Sequence, residues 1–349
     1  MKTKIEDIYI KRGATLSEAL TQMDAVNRKL LLVVNPDNTF FSLLSIGDIQ
    51  RAIIKNMPLT TTVEQVVRHD ITIARITDDL DLVKERMKTR RNELMPILDI
   101  NNSIVEVIFW EDLFHEKRIT HQLDLPVVIM AGGRGSRLKP LTNVIPKPLI
   151  PINEKTIIED IMDRFVEHGC NTFHLSVNYK ADMIRYYLEN LNNPDYKISY
   201  FQEDKPLGTA GSLSLLKGKI SQTFFVSNCD IIIDEDYSEI IKYHKNNKNK
   251  ITLVAALKHF HIPYGTLETT RDGILTGLTE KPELNFKINS GMYIIESDVL
   301  NRIPNNTFLH ITDLIDTIMQ SGDKVGVFPV SEKSWRDMGS LSELKFVNS

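Results

Sequence analysis

Apolar positions in the first third of the chain follow one pattern written twice. Leu16, Ala19, Leu20 and Met23 recur at helical spacing, and an apolar strand over 30–34, a polar turn over 35–38, a second strand over 40–44 and a helix start at Gly47-Asp48 follow. A shift of 64 positions finds the same order again: Leu80, Val83 and Met87, a strand over 94–98, a turn over 99–102, a strand over 104–109 and a helix start at Glu111-Asp112. Leu16 then falls on Leu80, Met23 on Met87, Val34 on Leu98 and Asp48 on Asp112. Two αββα copies, about 1–60 and 61–120, are therefore expected to form an α+β domain over 1–120. The polar stretch from His115 to Asp124 separates it from the next apolar strand. His115 and His121 read as solvated linker residues, with no carboxylate or cysteine at ligand spacing.

From Leu125 onward strand and helix patterns alternate, the signature of a mainly parallel sheet covered on both faces, here a domain over 121–349. Strands are expected over 127–130, 173–177, 197–202, 223–226, 251–257, 289–295 and 325–330. Helices are expected over 156–168, 181–191, 236–244 and 312–320, with another starting near Thr209. Residues 265–270 and 274–279 read as a hairpin turned by Asp272-Gly273, and the run KNNKNK at 245–250 as a solvated loop. Ligands gather at the carboxyl ends of strands in such sheets, which places the stretch after Met130 and Asp230 on one rim.

Composition narrows the setting. At 349 residues, 42% apolar and 25% charged, the chain can fold as two or three globular domains. A net charge of −4 gives no support for nucleic acid or an anionic membrane as partner. The start, MKTKIEDIYIKRG, lacks a signal-like apolar run, so a soluble cytoplasmic protein is expected. Cys170 and Cys229 stand far apart without a CxxC, which points to small buried side chains rather than a disulfide or zinc site.

The chemistry concentrates after Met130. Ala131, Gly132, Gly133 and Gly135 let backbone N–H groups turn towards one point, and Arg137, Lys139 and Lys147 follow within reach of the same anion. The spacing is neither GxxxxGK[ST] nor GxGxxG. A glycine-rich turn beside surface cations is the plainer reading.

The stretch from about Leu125 to Val347 resembles the sugar-nucleotidyltransferase family, which joins a nucleoside triphosphate to a sugar 1-phosphate and releases pyrophosphate. The family's glycine signature ends in Thr-Arg-Leu and is followed by Lys-Pro; here Ser136-Arg137-Leu138 and Lys147-Pro148 stand in those places. Pro206-Leu207-Gly208-Thr209-Ala210-Gly211 resembles the loop around base and ribose. Asp230 matches the metal aspartate, with Cys229 where the family more often has Gly or a similarly small residue. Glu280-Lys281-Pro282, Asn289-Ser290-Gly291 and Asp337-Met338-Gly339 resemble the sugar-binding Glu, its partner Asn and a second metal aspartate.

The resemblance implies a Rossmann-like, mainly parallel mixed α/β sheet of the GT-A-like kind. It also implies in-line displacement at the α-phosphorus, with charge neutralisation and alignment in place of a side-chain nucleophile. Arg137 would attend the leaving pyrophosphate, and Lys147 the α-phosphate and the incoming phosphate. Nucleotide-binding positions would be Ala131, Gly132, Gly133, Gly135, Ser136, Gln202, Gly208, Thr209 and Gly211; sugar-binding positions would be Glu280, Lys281 and Asn289. Asp230 and Asp337 would hold Mg²⁺, which takes one or two carboxylates plus phosphate oxygens.

The repeat in 1–120 resembles a tandem pair of CBS domains, a regulatory module that binds adenine or guanine nucleotides. Ser45, three residues before Asp48, fits that family's ribose grip, whereas Phe109 before Asp112 lacks the hydroxyl; a helix-start carboxylate is the plainer alternative. The loop over 206–211 resembles the guanylyl-transferring branch, close to mannose-1-phosphate guanylyltransferases, which implies GTP as donor. A CBS pair ahead of such a domain resembles the glucosamine-1-phosphate guanylyltransferases of legionaminic acid biosynthesis. That implies glucosamine 1-phosphate as acceptor, with Gln202, Glu203 and Glu280 as candidate contacts to its amino group. A mannose or heptose 1-phosphate enzyme is the alternative, and an inactive nucleotide or sugar-nucleotide sensor the alternative of another class. Retention of Arg137, Lys147, Asp230 and Asp337 favours an enzyme, expected as a homo-oligomer without nucleic-acid or membrane partners.

Overall fold

The structure, a computed structural model, describes residues 5–68, 71–90, 92–110 and 122–339. Asp112, His115 and His121 lie outside the described residues. The chain separates into two compact units, Met1–Arg118 and Ile119–Ser349. No helix among the described residues is long and apolar enough to cross a membrane.

In the first unit the order is β1 (Tyr9–Lys11), α1 (Leu16–Val26), β2 (Leu30–Val34), β3 (Phe40–Ser45) and α2 (Ile46–Ile54), then β4 (Ala74–Arg75), α3 (Leu80–Arg90), β5 (Leu94–Leu98) and β6 (Ile104–Phe109). Each half builds one three-stranded sheet, β1-β2-β3 and β4-β5-β6. The repetition reaches the register itself. Leu30 pairs with Ser45 and Leu94 with Phe109, and both ladders shift at the same step, between Val33 and Val34 and between Ile97 and Leu98. β1 and β4 are too short to leave a periodic signal, and only pairing with β2 and β5 extends them.

The second unit begins with β7 (Val127–Met130), β8 (Pro151–Ile152), β9 (Lys155–Thr156), α4 (Ile157–Glu167), β10 (Thr172–Val177), α5 (Ala181–Leu191), β11 (Lys197–Gln202) and α6 (Gly208–Gly211). Next come β12 (Phe224–Asn228), β13 (Ile231–Ile233), α7 (Tyr237–Asn247), β14 (Ile251–His261), β15 (Thr266–Thr269) and β16 (Leu275–Thr279). β17 (Glu283–Ile295), α8 (Ile311–Gln320), β18 (Val325–Val330) and β19 (Trp335–Asp337) complete it. Seven strands form one mixed sheet in the order β11-β10-β7-β12-β17-β14-β18. Four of its ladders are parallel, and β17 alone runs against both neighbours. The chain leaves β7 outward through β10 and β11, then returns to the other side of β7 for β12. That reversal opens a crevice at the carboxyl ends of β7 and β12.

Local chemistry explains the elements. Thr156 starts α4 with a capping box, its hydroxyl accepting the Glu159 N–H while the Glu159 carboxylate accepts the Thr156 N–H at 2.8 Å. The sheet face carrying Val128, Val226 and Tyr293 packs in one core cluster with Leu314 and Ile318 of α8.

Three expectations need correction. β14 continues past Leu257 to His261, and β17 begins at Glu283 rather than Asn289. Lys258, His259, Asn285 and Lys287 interrupt the apolar runs there, yet their backbones stay in the ladder. Glu280-Lys281-Pro282 follows the β15/β16 hairpin, as expected, and leads directly into the longer β17. The KNNKNK run is solvated over 245–248, as expected, but is only in part a loop. Lys245–Asn247 finish α7, and Asn249 is buried with its amide donating to Thr252 Oγ1 at 3.0 Å.

Candidate active site

The loop after β7 is held by its neighbours and by one of its own hydroxyls. The Ala131 N–H donates to the Ser176 carbonyl at 2.9 Å, and the Thr142 hydroxyl donates to the Gly135 carbonyl at 2.9 Å. Tyr179 Oη in turn donates to the Thr142 carbonyl at 3.0 Å, and Lys180 Nζ to the carbonyls of Asn143 and Val144 at 2.7 and 2.6 Å. Gly135 adopts φ +60°, and a Cβ there would lie 2.8 Å from Thr142 Cγ2 and 3.1 Å from Lys147 Cβ. Only glycine fits that left-handed, crowded position. A Cβ on Gly133 would meet nothing within 4 Å, so this part of the loop faces open space. Thr142, Tyr179 and Lys180 were not foreseen in sequence, because their spacing carries no motif.

Across the crevice, Asp230 stands two residues past the end of β12, and the Met338 N–H donates to its carbonyl at 2.8 Å. β13 and β19 pair Ile231 with Asp337, which carries the late aspartate to the early one. Lys147 Nζ forms an ion pair with Asp230 Oδ2, both side chains being 10% exposed, and Arg137 Nη2 lies 4.0 Å from the same oxygen. A Cβ on Gly339 would lie 2.6 Å from Asp337 Oδ1, 3.1 Å from Asp230 Oδ2 and 3.1 Å from Arg137 Nη2. Two carboxylates and a guanidinium thus converge on one point. Burial, and then the negative charge of Asp230, push the Cys229 thiol up to about 12, against the pull of Lys147. It stays protonated and is no nucleophile.

The 206–211 loop is built by long-range clamps. Leu309 N–H donates to the Leu207 carbonyl at 2.9 Å, while the Leu309 carbonyl accepts from Ala210 and Gly211 at 3.0 and 3.1 Å. The Thr209 hydroxyl accepts the Ile311 N–H at 2.9 Å and so supports the start of α8. Gly208, at φ +76°, would place a Cβ 2.6 Å from the Leu309 carbonyl oxygen. Gln202 Oε1 accepts from Arg185 Nη2 at 3.1 Å. Glu203, a candidate for an amino-sugar contact, instead accepts the Leu207 N–H at 2.5 Å and the Ser176 hydroxyl at 3.3 Å. Its carboxylate is committed to shaping the loop.

The sugar-side residues are less gathered. Asn289 Nδ2 donates to Tyr293 Oη at 2.9 Å, and its Oδ1 accepts the Gly291 N–H at 3.2 Å. Trp335 Nε1 donates to the Ser290 carbonyl at 3.2 Å, tying this bend to the strand that carries Asp337. Glu280 and Lys281 are exposed and lie beyond the His261–Glu283 pair that ends the β14/β17 ladder, whereas Asn289 pairs with Ala255 inside it.

Residues 126–349 match the family model described as Nucleotidyl transferase. The chain belongs to the nucleotidyl transferase family. Among relatives of this family, the chain is 34% identical over 182 residues to the mannose-1-phosphate guanylyltransferase catalytic subunit beta of Drosophila pseudoobscura pseudoobscura, covering 50% of this chain and 49% of that protein. It is 28% identical over 225 residues to the mannose-1-phosphate guanylyltransferase of Mycobacterium tuberculosis, covering 63% of this chain and 62% of the relative. The chain thus spans about half to three fifths of the length of these relatives. The crystal structure of HddC from Yersinia pseudotuberculosis is 26% identical with a TM-score of 0.51, covering 64% of this chain and 97% of that one.

The donor set suits the hard cation that a nucleotidyl transferase would use. Among the described residues no group of three or more His, Cys, Asp or Glu could hold a metal by itself. Asp230 and Asp337 supply two converging carboxylates and leave further positions to phosphate and water, as Mg²⁺ prefers.

In the first unit, Ser45 and Asp48 do come together, as a helix cap. The Asp48 carboxylate accepts the Ser45 N–H at 2.9 Å and the Ser45 hydroxyl at 2.5 Å, and it pairs with Arg51 and with Arg68 Nε at 3.0 Å.

Proposed function

We propose that the second unit is a sugar-1-phosphate guanylyltransferase acting on GTP and mannose 1-phosphate. The observation that carries this reading is the convergence of Asp230, Asp337, Lys147 and Arg137 beside an open glycine loop at the sheet's switch point. Gly132 to Gly135 would offer backbone N–H groups to the triphosphate, Arg137 would meet the leaving pyrophosphate, and Lys147 would align the α-phosphate with the incoming phosphate. Asp230 and Asp337 would hold Mg²⁺, which when bound neutralises phosphate charge. No side chain needs to attack.

The nucleobase and sugar rest on the relatives, whose names carry mannose 1-phosphate and guanylyl transfer over half or more of this chain. They favour mannose over the glucosamine expected from the domain order, and Glu203's commitment to its own loop removes one amino-sugar contact. Pyrophosphate release with GTP, UTP, dTTP, CTP and ATP, each against mannose, glucosamine, N-acetylglucosamine and glucose 1-phosphates, tests all of this. The expected signal is GTP with mannose 1-phosphate. A dominant UTP signal overturns the guanylyl reading, glucosamine turnover would restore the legionaminic acid reading, and silence throughout would favour a sensor.

The duplicated sheets of the first unit, identical in element order and register shift, support a CBS-like regulatory pair. Calorimetry with AMP, ATP, GMP and GTP on residues 1–120 tests it, and no heat from any nucleotide would remove it.

A further inference from the structure

The outer part of the sheet rim carries a polar contact that the charge chemistry does not use. Gln202 ends β11 and pairs with Val177 at the end of β10, two strands out from the glycine loop after β7. With neighbouring strands about 4.8 Å apart, that is roughly 10 Å, the reach of a nucleoside from its phosphate to the edge of its base. One side chain links the two places. A Cβ on Gly132 would lie 3.2 Å from Asn178 Cβ, and Asn178 Nδ2 donates to the Glu203 carbonyl at 3.3 Å. Gln202 itself is exposed, so its amide is open to a ligand on this rim.

That amide is not free to turn. Arg185 of α5 donates from Nη2 to Gln202 Oε1 at 3.1 Å. A guanidinium has only donors, so the oxygen of the amide must face it; a turned amide would set its own N–H groups against those donors. Arg185 is held in its turn. Its guanidinium carbon lies 5.4 Å from the centre of the Tyr200 ring, and its Nε is buried. Just ahead of α5 the Tyr179 N–H donates to the Gly132 carbonyl at 3.4 Å. The helix that sets the arginine is therefore tied to the loop that would cradle the phosphates.

We infer that Arg185 is a positioning residue that fixes the Gln202 amide to read a keto base and to refuse an amino one. With Oε1 turned to Arg185 but keeping a second lone pair, the amide presents a donor and an acceptor in one fixed order. The guanine edge, an acceptor O6 beside a donor N1–H, matches that order. Adenine offers a donor N6 beside an acceptor N1, which matches only the inverted amide and would break the Arg185 bond. A ribose anchored by its phosphates keeps the base from turning over to compensate. Uracil and thymine share the order of guanine, so the lock separates GTP, UTP and dTTP from ATP and CTP and leaves ring size to other residues. The inference rests on the nucleotidyl transfer proposed above and deepens it.

The test is the ratio of kcat/KM for GTP to that for ATP, measured by pyrophosphate release on the full chain with the sugar 1-phosphate that gives the strongest signal. Arg185→Leu should lower that ratio about tenfold, the scale of one hydrogen bond to a charged group, through KM rather than kcat. Arg185→Lys, which keeps a charged donor, should recover part of it. Gln202→Ala should lower the ratio as far, and adding Arg185→Leu to it should change nothing further, because the two act as one unit. Gln202 is exposed, so this variant keeps the test alive should loss of Arg185 disturb folding around Tyr200. A wild-type chain that uses GTP and ATP alike overturns the inference, as does an unchanged ratio in Arg185→Leu or an equal effect of Arg185→Leu with and without Gln202. Silence with every nucleotide removes the transferase reading instead; the same ratio is then read from Kd values for GTP and ATP, by calorimetry on the wild type and these variants, with the same outcomes deciding.

Discussion

Asp48 in the first unit and Asp230 in the second are 2% and 7% exposed, and both face basic side chains. They differ in what is left over. Around Asp48 the Ser45 N–H, the Ser45 hydroxyl, Arg51 and Arg68 consume the carboxylate's acceptor sites. Its arginines are more than half exposed, so they answer the carboxylate without depending on it. The Asp230 carboxylate meets Lys147 and, at the limit of pairing distance, Arg137, and its converging neighbour Asp337 brings more negative charge to the same point. One buried aspartate closes a helix end; the other, in the function proposed, would face a cation and a phosphate. Burial and charge alone do not distinguish a cap from a site.

The largest test of this contrast is Asp230→Asn, which keeps shape and removes charge. Pyrophosphate release should fall by about 10²–10³-fold, the scale of losing one charge-stabilising group, while Asp48→Asn leaves turnover at saturating substrates within a few-fold. Equal losses in both would erase the distinction.

Stability should diverge in the same sense. Asp230→Ala strands the Lys147 ammonium in a buried place and is expected to cost about 3–5 kcal/mol. Asp48→Ala removes a cap but leaves two solvated arginines, for about 1–2 kcal/mol. Chemical denaturation followed separately for the two units reads both values.

Gly208→Ala probes the clamp beside the site. Its left-handed φ and the 2.6 Å approach to the Leu309 carbonyl predict a loss of roughly 1–3 kcal/mol and a raised KM for the nucleotide. An unchanged melting temperature would mean that the loop is not held by Leu309.

The smallest effect concerns His244, buried between Thr252 Oγ1 at 2.8 Å and Glu296 Oε1 at 3.0 Å. Burial holds its pKa below the ordinary 6.5, although Glu296 pulls the other way. The unfolded chain therefore takes up the proton first as pH falls. The stability that neutral His244 contributes is present above about pH 6.5 and drains below it. His244→Gln should flatten that slope in the second unit's unfolding transition.

Much of this was legible in the residues. The 64-residue repeat, the α/β alternation and the order of the motifs follow from periodicity and from glycine, proline and charge placement, which act over a few residues and so survive in a linear string. The polar halves of β14 and β17 were not legible, because Lys258 and Asn285 break the apolar run while the ladder does not need them apolar. Nor was the loop-shaping role of Glu203, whose partners Ser176 and Leu207 come from another strand and from four residues on. What the sequence by itself determined was which elements form and which residues could bear charge chemistry. Tertiary structure alone decided that Asp337 meets Asp230, that Lys147 is buried against it, and that Asp48 is spent on its own helix. Those outcomes depend on strands distant in sequence pairing side by side, and on how many acceptor sites remain once packing and capping have been satisfied.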